Sequence, residues 1–406
     1  MMRCLVGIDD TDSSRGYCTT YLAFRVAVDL AADLSVVPYP RLVRLNPNIP
    51  FKTRGNAAVC LELETPDPAE AFRLLCEKLE DLSDVAGGAN SGLVFLEDAK
   101  LADDFEPLYR RALSQVVNPA SVKNLLKEKG VRFTTLGNGM GLVGAAASLA
   151  FSFSQDHTFE LISYRRRESW GLKRVIDPSS VREMDLRTFP HTFNNYDYQK
   201  RKVLVAPHGP DPVFAGVRGD SPSAVASAFA CLRFEEELQG YMVYASNQHT
   251  DAHLGQRLDW KVFSSGWAAG TVDKVETGRG GHVYLTLRER RQKRQCAFYE
   301  PTGDLRRAAK RLAKGDRVVL SGGVRRATSA HEKVLNVEKM EVLSIAPSEG
   351  RSLLAEGVYI SSPRANRHLT KPLTRYGTET PGVIPPDLPD WLEGSAIPLR
   401  ALARSR

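Results

Sequence analysis

Residues 3–34, RCLVGIDDTDSSRGYCTTYLAFRVAVDLAADL, hold two apolar runs of different period joined by a polar turn. The first run leads straight into three carboxylates, Asp9, Asp10 and Asp12. After the Ser/Gly-rich turn, apolar residues recur at helical spacing. The segment therefore reads as strand, loop, helix, with an acidic cluster where a buried strand ends. Further strands are expected at 41–45, 57–63 and 92–95, with a helix over 68–79. This alternation predicts a layered α/β domain over residues 1–125.

A second unit is expected over 126–258. It opens on a Gly-rich turn and small-residue helix (TTLGNGMGLVGAAASLAF) and continues through FELISYR and YMVYAS, as a ferredoxin-like α+β layer. Residues 259–345 differ in kind. Five short β-rich runs carry one basic helical insert, DLRRAAKRLAKG, between the third and fourth, which is the order of an OB-fold β-barrel. A Pro-rich tail, 346–406, follows. The fold class is thus multidomain α+β.

Length and a 42% hydrophobic content allow several cores. No stretch approaches the roughly 20 apolar residues that cross a bilayer, and the acidic N-terminus is unlike a signal peptide, so a soluble cytoplasmic protein is expected. Six scattered cysteines without a CxxC pair predict neither a disulfide framework nor a zinc site. The charge is unevenly spread. Residues 260–333 hold 17 Lys plus Arg against 7 Asp plus Glu, a balance of +10, and since the whole chain carries +7 the remainder stands at −3. A basic field concentrated in an OB-like segment fits a polyanion, although a solvated surface would also produce it. Arg290, Arg291, Lys293 and Arg294 are the expected RNA contacts. Trp260, Trp267, Tyr284, Phe298 and Tyr299 are aromatics that would either stack on bases or fill the barrel.

Carboxylates as close as Asp9, Asp10 and Asp12 repel unless a cation lies among them, and hard oxygen ligands favour magnesium, the companion of ATP phosphates. The hydroxyls of Thr11, Ser13, Ser14, Thr19 and Thr20 follow on the turn and helix start, where free N–H groups favour phosphate. An Asp/Ser-rich cap would need only one such residue. A second cluster, RLNPNIPFKTRGNAAV, offers Lys52 and Arg54 on alternate positions of an extended segment, able to neutralise a transferring phosphoryl group, with Gly55 and Asn56 beside them. A solvated basic loop is the alternative. The segments 87–95 and 136–145 supply glycines that either admit a nucleotide or allow tight turns and close helix packing. Residues 191–197, 209–220 and 246–254 are polar loops of ligand-binding character. His249 and His253 fall four apart near Asp251, but a third firm ligand for a metal is missing.

Together GIDDTDSSRGYCTTY, RLNPNIPFKTRGN, TFNNYD, GVRGD, NQHTDAHL and HLTKPLTRYG resemble the archaeal 2-agmatinylcytidine synthetases of a minor isoleucine tRNA. The resemblance implies a kinase-like catalytic domain using ATP and magnesium, an amine-binding ferredoxin-like domain and an RNA-binding OB domain. It implies activation of C2 of the wobble cytidine of a CAU anticodon by phosphorylation, followed by displacement by agmatine. Asp9, Asp10, Asp12 and Thr19 match the catalytic motif, Thr19 as the residue phosphorylated in the family. Asp197, Asp211 and Asp220, with Arg218 and Gly219, are the expected amine-binding residues, because a guanidinium needs a carboxylate. The family's four-cysteine zinc ribbon would follow the OB domain; no cysteine follows Cys296 here, so the tail stands in its place. A kinase that transfers phosphate without amine, a ligase for another amine or RNA, and a noncatalytic RNA-binding relative are the alternatives.

Overall fold

The computed structural model describes residues 1–13, 15–52, 55–198, 201–327 and 333–347, with the backbone of two short strands, Tyr359–Ser361 and Leu399–Arg400. The readings made for Ser14, Arg54 and nearly all of the tail lie outside the described residues.

The chain runs β1 (Met2–Asp9), α1 (Thr19–Asp29), β2 (Ser35–Val36), β3 (Arg41–Arg44), β4 (Ala57–Thr65), α2 (Pro68–Asp81) and β5 (Gly92–Leu96). It continues through α3 (Glu106–Ser114), α4 (Pro119–Glu128), β6 (Arg132–Thr135) and α5 (Leu142–Ser148). The next elements are β7 (Thr158–Arg165), α6 (Pro178–Thr188), β8 (Thr192–Phe193), β9 (Tyr196–Asp197), β10 (Lys202–Val203), β11 (Val213–Gly219), α7 (Pro222–Ala230) and β12 (Leu238–Ser246). Four helices start by one local rule: Asp67, Asn118, Asp177 and Ser221 each accept a backbone N–H of the first turn, and a proline follows at the position whose own N–H would go unbonded.

Nine of these strands run through one sheet in the order β6-β5-β1-β4-β3-β12-β7-β11-β8; β2 pairs with β4 off that path, and β9 and β10 form a separate two-stranded sheet. Strands β7, β8, β11 and β12, with α6 and α7 covering one face, have the ferredoxin-like order in which the fourth strand lies beside the first and the third beside the second. The two halves meet where β3 and β12 pair in parallel, Arg41 with Ala245 and Leu42 with Ser246. Side chains extend this short seam. Ser246 Oγ donates to Leu42 O at 2.7 Å, and the Asn247 amide bonds both backbone groups of Arg44, at 2.6 and 2.9 Å.

Helices α1 and α2 cover one face of the first half, and α3, α4 and α5 the other. Residues 126–150, read from sequence as the start of the second unit, pack here instead: β6 pairs with β5, and α5 lies on β1. The reason is steric. A Cβ on Gly7 would lie 1.9 Å from Ala145 O, so a small-residue helix and a glycine-bearing strand are matched for close approach.

The third unit comprises β13 (Ser265–Thr277), β14 (Val283–Glu289), β15 (Gln292–Phe298), α8 (Asp304–Ala309), β16 (Arg317–Arg325) and β17 (Val334–Ser344). The sheet closes through parallel pairing of Cys296 with Leu335 and Ala297 with Asn336, giving the expected OB barrel with its helix between the third and fourth strands. Two asparagines of the first half hold it. Asn46 Nδ2 donates to Phe263 O at 2.8 Å, and Asn48 Nδ2 donates to Ser264 O and Val324 O at 3.2 and 2.9 Å.

Candidate active site

A cavity of about 290 Å³ opens at the seam, walled by the end of β1, the start of α1, β3, the 140–144 turn, β7 and β11. Asp9, Asp10, Asp12 and Thr19 line it, as do Lys52, Gly55, Asn56, Asp211 and Arg218. Residues from both halves of the continuous sheet thus line one cavity.

Each acidic side chain is placed by a local device. Asp10 has a φ of 58°, a left-handed turn that lets its own N–H donate to Asp9 Oδ1 at 2.8 Å. Its carbonyl accepts from Asn90 N and Ser91 Oγ, so the 87–95 segment buttresses the loop. Asp12 Oδ1 accepts Thr19 N at 3.1 Å, which fixes the first residue of α1. Burial, then the neighbouring charge of Asp10, pushes the Asp9 carboxyl well above the usual carboxylate range.

Thr19 is held from both halves. Thr11 Oγ1 donates to Thr19 Oγ1 at 3.1 Å, and the next carbonyl, Thr20 O, accepts from the hydroxyls of Tyr164 and Tyr244 at 2.9 and 2.7 Å. Both tyrosines are buried in the second half's strands. Thr11 and Ser13, expected to meet phosphate, are instead buried supports outside the cavity wall: Ser13 Oγ donates to Gly16 O and closes the turn.

Opposite the carboxylates stands a group that sequence reading did not single out. Glu160 on β7 is 3% exposed; its Oε1 lies 2.8 Å from Arg218 Nη2 and its Oε2 lies 3.6 Å from Arg44 Nη2. Arg44 Nε donates to Gln248 Oε1 at 3.0 Å. Burial lowers the Arg44 guanidinium from its ordinary range, and Glu160 opposes that shift. Glu160 Oε2 and Arg218 Nε have no hydrogen-bond partner. A Glu inside the otherwise apolar run FELIS was the available signal. Arg44 is the first residue of the RLNPNIPFKTRGN motif, where nothing in the local pattern separates it from a solvated strand-end arginine.

The glycines of residues 136–145 serve close packing at this site. A Cβ on Gly144 would lie 1.9 Å from Asp9 Oδ2, and one on Gly141 2.5 Å from Asp9 O. The remaining amine-side residues divide. Asp211 is buried and bonded to Val213 N at 3.1 Å and to Arg174 at 3.4 Å, while Asp197, on β9, and Gly219 and Asp220, beside His191, lie away from the wall. His253 pairs with Glu338 of the barrel at 3.0 Å.

Of the four expected RNA contacts on the barrel, Arg290 and Arg291 are exposed on the β14–β15 turn. Lys293 pairs with Asp273 at 2.8 Å, and the Arg294 guanidinium lies 4.9 Å from the Trp260 ring centroid. Trp260 and Phe298 belong to the barrel core.

Family models match in the same order as the units: the TiaS TCKD domain at residues 5–66, the TiaS FLD domain at 139–253 and an OB-fold nucleic acid binding domain at 267–343. The isoleucine-tRNA 2-agmatinylcytidine synthetase TiaS of Cenarchaeum symbiosum is 41% identical over 85% of this chain and 77% of its own length. The chain belongs to the isoleucine-tRNA 2-agmatinylcytidine synthetase family. The synthetase of Methanosarcina mazei is 34% identical over 91% of this chain and 97% of its own. Among solved structures of the family, the complex of TiaS with its isoleucine tRNA, AMPCPP and agmatine superposes with a TM-score of 0.80 at 30% identity, over 95% of this chain and 100% of that one. A ZRD-deleted mutant of TiaS in complex with agmatine superposes with a TM-score of 0.77 at 29% identity, over the same shares.

Among the described residues, no group of three His, Cys, Asp or Glu is arranged to enclose a metal ion, and no helix is long and apolar enough to cross a membrane. Magnesium is commonly held by one or two carboxylates plus phosphate oxygens and water, and a cation would relieve the repulsion from Asp10 that, after burial, raises the Asp9 carboxyl.

Proposed function

We infer that the protein is an ATP-dependent ligase that joins agmatine to C2 of the wobble cytidine in a CAU anticodon of isoleucine tRNA. One observation carries the reading. The acidic cluster and Thr19 of the first half face Arg44, Glu160 and Arg218 across a single cavity, in a chain whose family complexes bring ATP or its analogue, tRNA and agmatine together.

The carbonyl oxygen at C2 is a poor leaving group. The phosphoryl group passes from ATP to Thr19 Oγ1, which gives up its proton as the bond to the departing nucleotide breaks, and then from Thr19 to the C2 oxygen, with Thr19 taking a proton back as its bond to phosphorus breaks. The amine nitrogen then bonds to C2, the activated oxygen leaves as phosphate, and the amine gives up a proton. Arg44 and Arg218 neutralise the phosphoryl oxygens, and Glu160 holds the two guanidinium groups in place. Lys52 adds charge at the mouth, while Gly55 and Asn56 shape the wall. Asp9, Asp10 and Asp12 would hold magnesium, which supplies charge compensation for the phosphates when bound. Thr19, presented by Asp12, Thr11 and the paired tyrosines, is the hydroxyl proposed to carry phosphate transiently.

On the amine side, Asp211 and Arg218 form the wall, with Glu160 Oε2 as an acceptor awaiting an N–H donor. Asp197, Gly219 and Asp220 shape the loops behind that wall. Arg290 and Arg291 meet RNA phosphates at the barrel surface, with Lys293 and Arg294 in support. An enzyme acting on tRNA is expected to work in the cytoplasm.

The test is incubation with ATP, magnesium, labelled agmatine and a CAU tRNA, followed by nucleoside mass analysis. A cytidine enlarged by one condensed agmatine, absent with Thr19→Ala, is expected. Consumption of ATP without agmatine incorporation would overturn the ligase reading in favour of a kinase.

A further inference from the structure

Two adjacent residues grip Thr19 by different atoms. Asp12 Oδ1 accepts its backbone N–H at 3.1 Å, and Thr11 Oγ1 donates to its side-chain oxygen, also at 3.1 Å. Thr11 is fully buried and stands off the cavity wall, whereas Thr19 lies on it. The Thr11 hydroxyl therefore reaches Thr19 Oγ1 from behind and leaves the cavity side of that oxygen open to phosphorus. The peptide that joins Asp10 to Thr11 is itself fixed, because its carbonyl accepts from Asn90 N at 3.1 Å and Ser91 Oγ at 3.2 Å. The donor is thus in place before any ligand arrives.

A hydroxyl has one hydrogen and two lone pairs. With one lone pair of Thr19 Oγ1 engaged by Thr11, the same contact can persist when Oγ1 becomes the bridging oxygen of a phosphate ester. Its strength changes with charge. A bridging ester oxygen is a weak acceptor, while an oxygen losing its bond to phosphorus gains negative charge and accepts about twice as strongly as a neutral one. A contact that strengthens only as the bond breaks lowers the barrier instead of merely stabilising the bound state.

We propose that Thr11 is a catalytic hydrogen-bond donor that stabilises the negative charge on Thr19 Oγ1 as the phosphoryl group leaves it for the C2 oxygen. The proposal rests on the reading of Thr19 as the transient carrier of phosphate. In that step a lone pair of the C2 oxygen makes the new bond to phosphorus, the electrons of the old bond stay on Oγ1, and Oγ1 takes up a proton from water; Thr11 keeps its own. In the earlier step Oγ1 is the nucleophile. There the donor eases loss of the Thr19 proton but blunts the attack, and the two effects offset. Thr11 therefore matters more for emptying Thr19 than for loading it. A purely structural role would differ, since a misplaced Thr19 would load slowly as well.

The full-length protein is mixed with ATP and magnesium, and the phosphoryl group on Thr19 is followed by peptide mass spectrometry. The loaded protein is then freed of ATP and given CAU tRNA with agmatine, and loss of the group and appearance of product are timed. Thr11→Val, which replaces the donor by a methyl, is expected to load within about tenfold of the wild-type rate and to empty about 100-fold more slowly, the effect of one donor removed from a developing oxyanion. Phosphorylated Thr19 then accumulates during turnover. Thr11→Ser keeps the hydroxyl and should empty at the wild-type rate. Thr11→Cys, a weaker donor, should fall between the two and gives the same reading if the valine variant does not fold. Emptying of both Thr11→Val and Thr11→Cys at the wild-type rate overturns the proposal, and so does loading slowed as much as emptying. If the wild type modifies tRNA without ever carrying phosphate on Thr19, the proposal and the carrier role fall together while the ligase reading stands. Absence of both phosphate and product in the wild type overturns the ligase reading and the proposal with it.

Discussion

Replacing Gly144 by alanine would place a Cβ 1.9 Å from Asp9 Oδ2. Ordinary contact begins near 3.4 Å, so helix α5 or the Asp9 carboxylate must give way by about 1.5 Å. The helix is pinned by Gly7 and Gly141, whose own approaches to Ala145 and Asp9 are also tight, so most of the shift falls on the carboxylate. Overpacking of this kind costs about 1–3 kcal/mol, and a change of 1 kcal/mol moves the melting temperature by roughly 2–4 °C in a unit of this size. The catalytic effect should be larger, since a displacement of about 1 Å at a reacting centre costs on the order of 100-fold. Thermal unfolding and single-turnover modification of tRNA measure the two effects. Adding Asp9→Ala to Gly144→Ala should restore stability and leave activity lost. Wild-type turnover by Gly144→Ala, with or without a change in melting temperature, would refute the placement of Asp9 at the reacting phosphates.

Asp9→Asn should raise the melting temperature near neutral pH and abolish product. Because the folded state raises the Asp9 pKa, its ionisation destabilises the fold as pH rises above the ordinary carboxylate range, so variant and wild type should converge in acid. Added magnesium should stabilise the wild type more than Asp9→Asn. Glu160→Gln should lower stability by about 3 kcal/mol, the low end for breaking a buried pair because Arg44 and Arg218 keep some exposure, and should slow modification; chemical denaturation and turnover check this. Asn48→Ala should let the barrel unfold separately, seen as a split of one calorimetric transition into two. Arg290→Ala combined with Arg291→Ala should flatten the log–log salt dependence of tRNA affinity by about 1–2, and Lys293→Ala by less, since Asp273 already pairs with it.

The architecture was legible wherever one local rule decided it. The period change at residues 3–34, the helix over 68–79 and the five-strand rhythm after residue 260 all carry their information in short windows. The boundary expected near residue 125 rested on a Gly-rich turn, a cue that marks a break in the chain without saying which sheet edge the next strand joins; β6 pairs backward with β5. At the site, Asp9 and Asp12 stand out through spacing and Thr19 through the family resemblance, whereas Glu160 and Arg44 take their meaning from each other across 116 positions of sequence, which no spacing rule encodes. Thr11 and Ser13 have the right chemistry for phosphate but are turned inward by hydrogen bonds visible only in three dimensions.

The seam between β3 and β12 has a consequence for how the activity is inherited. Its parallel register spans two residue pairs, reinforced by Ser246 and Asn247, yet Asp12 and Arg218 on its two sides face one space. Neither half owns the pocket. Two polypeptides cut in the 149–157 connection would each carry an incomplete set of reactive groups, so activity could return only through their reassembly, and exchange of a half between relatives would succeed or fail on those few seam contacts.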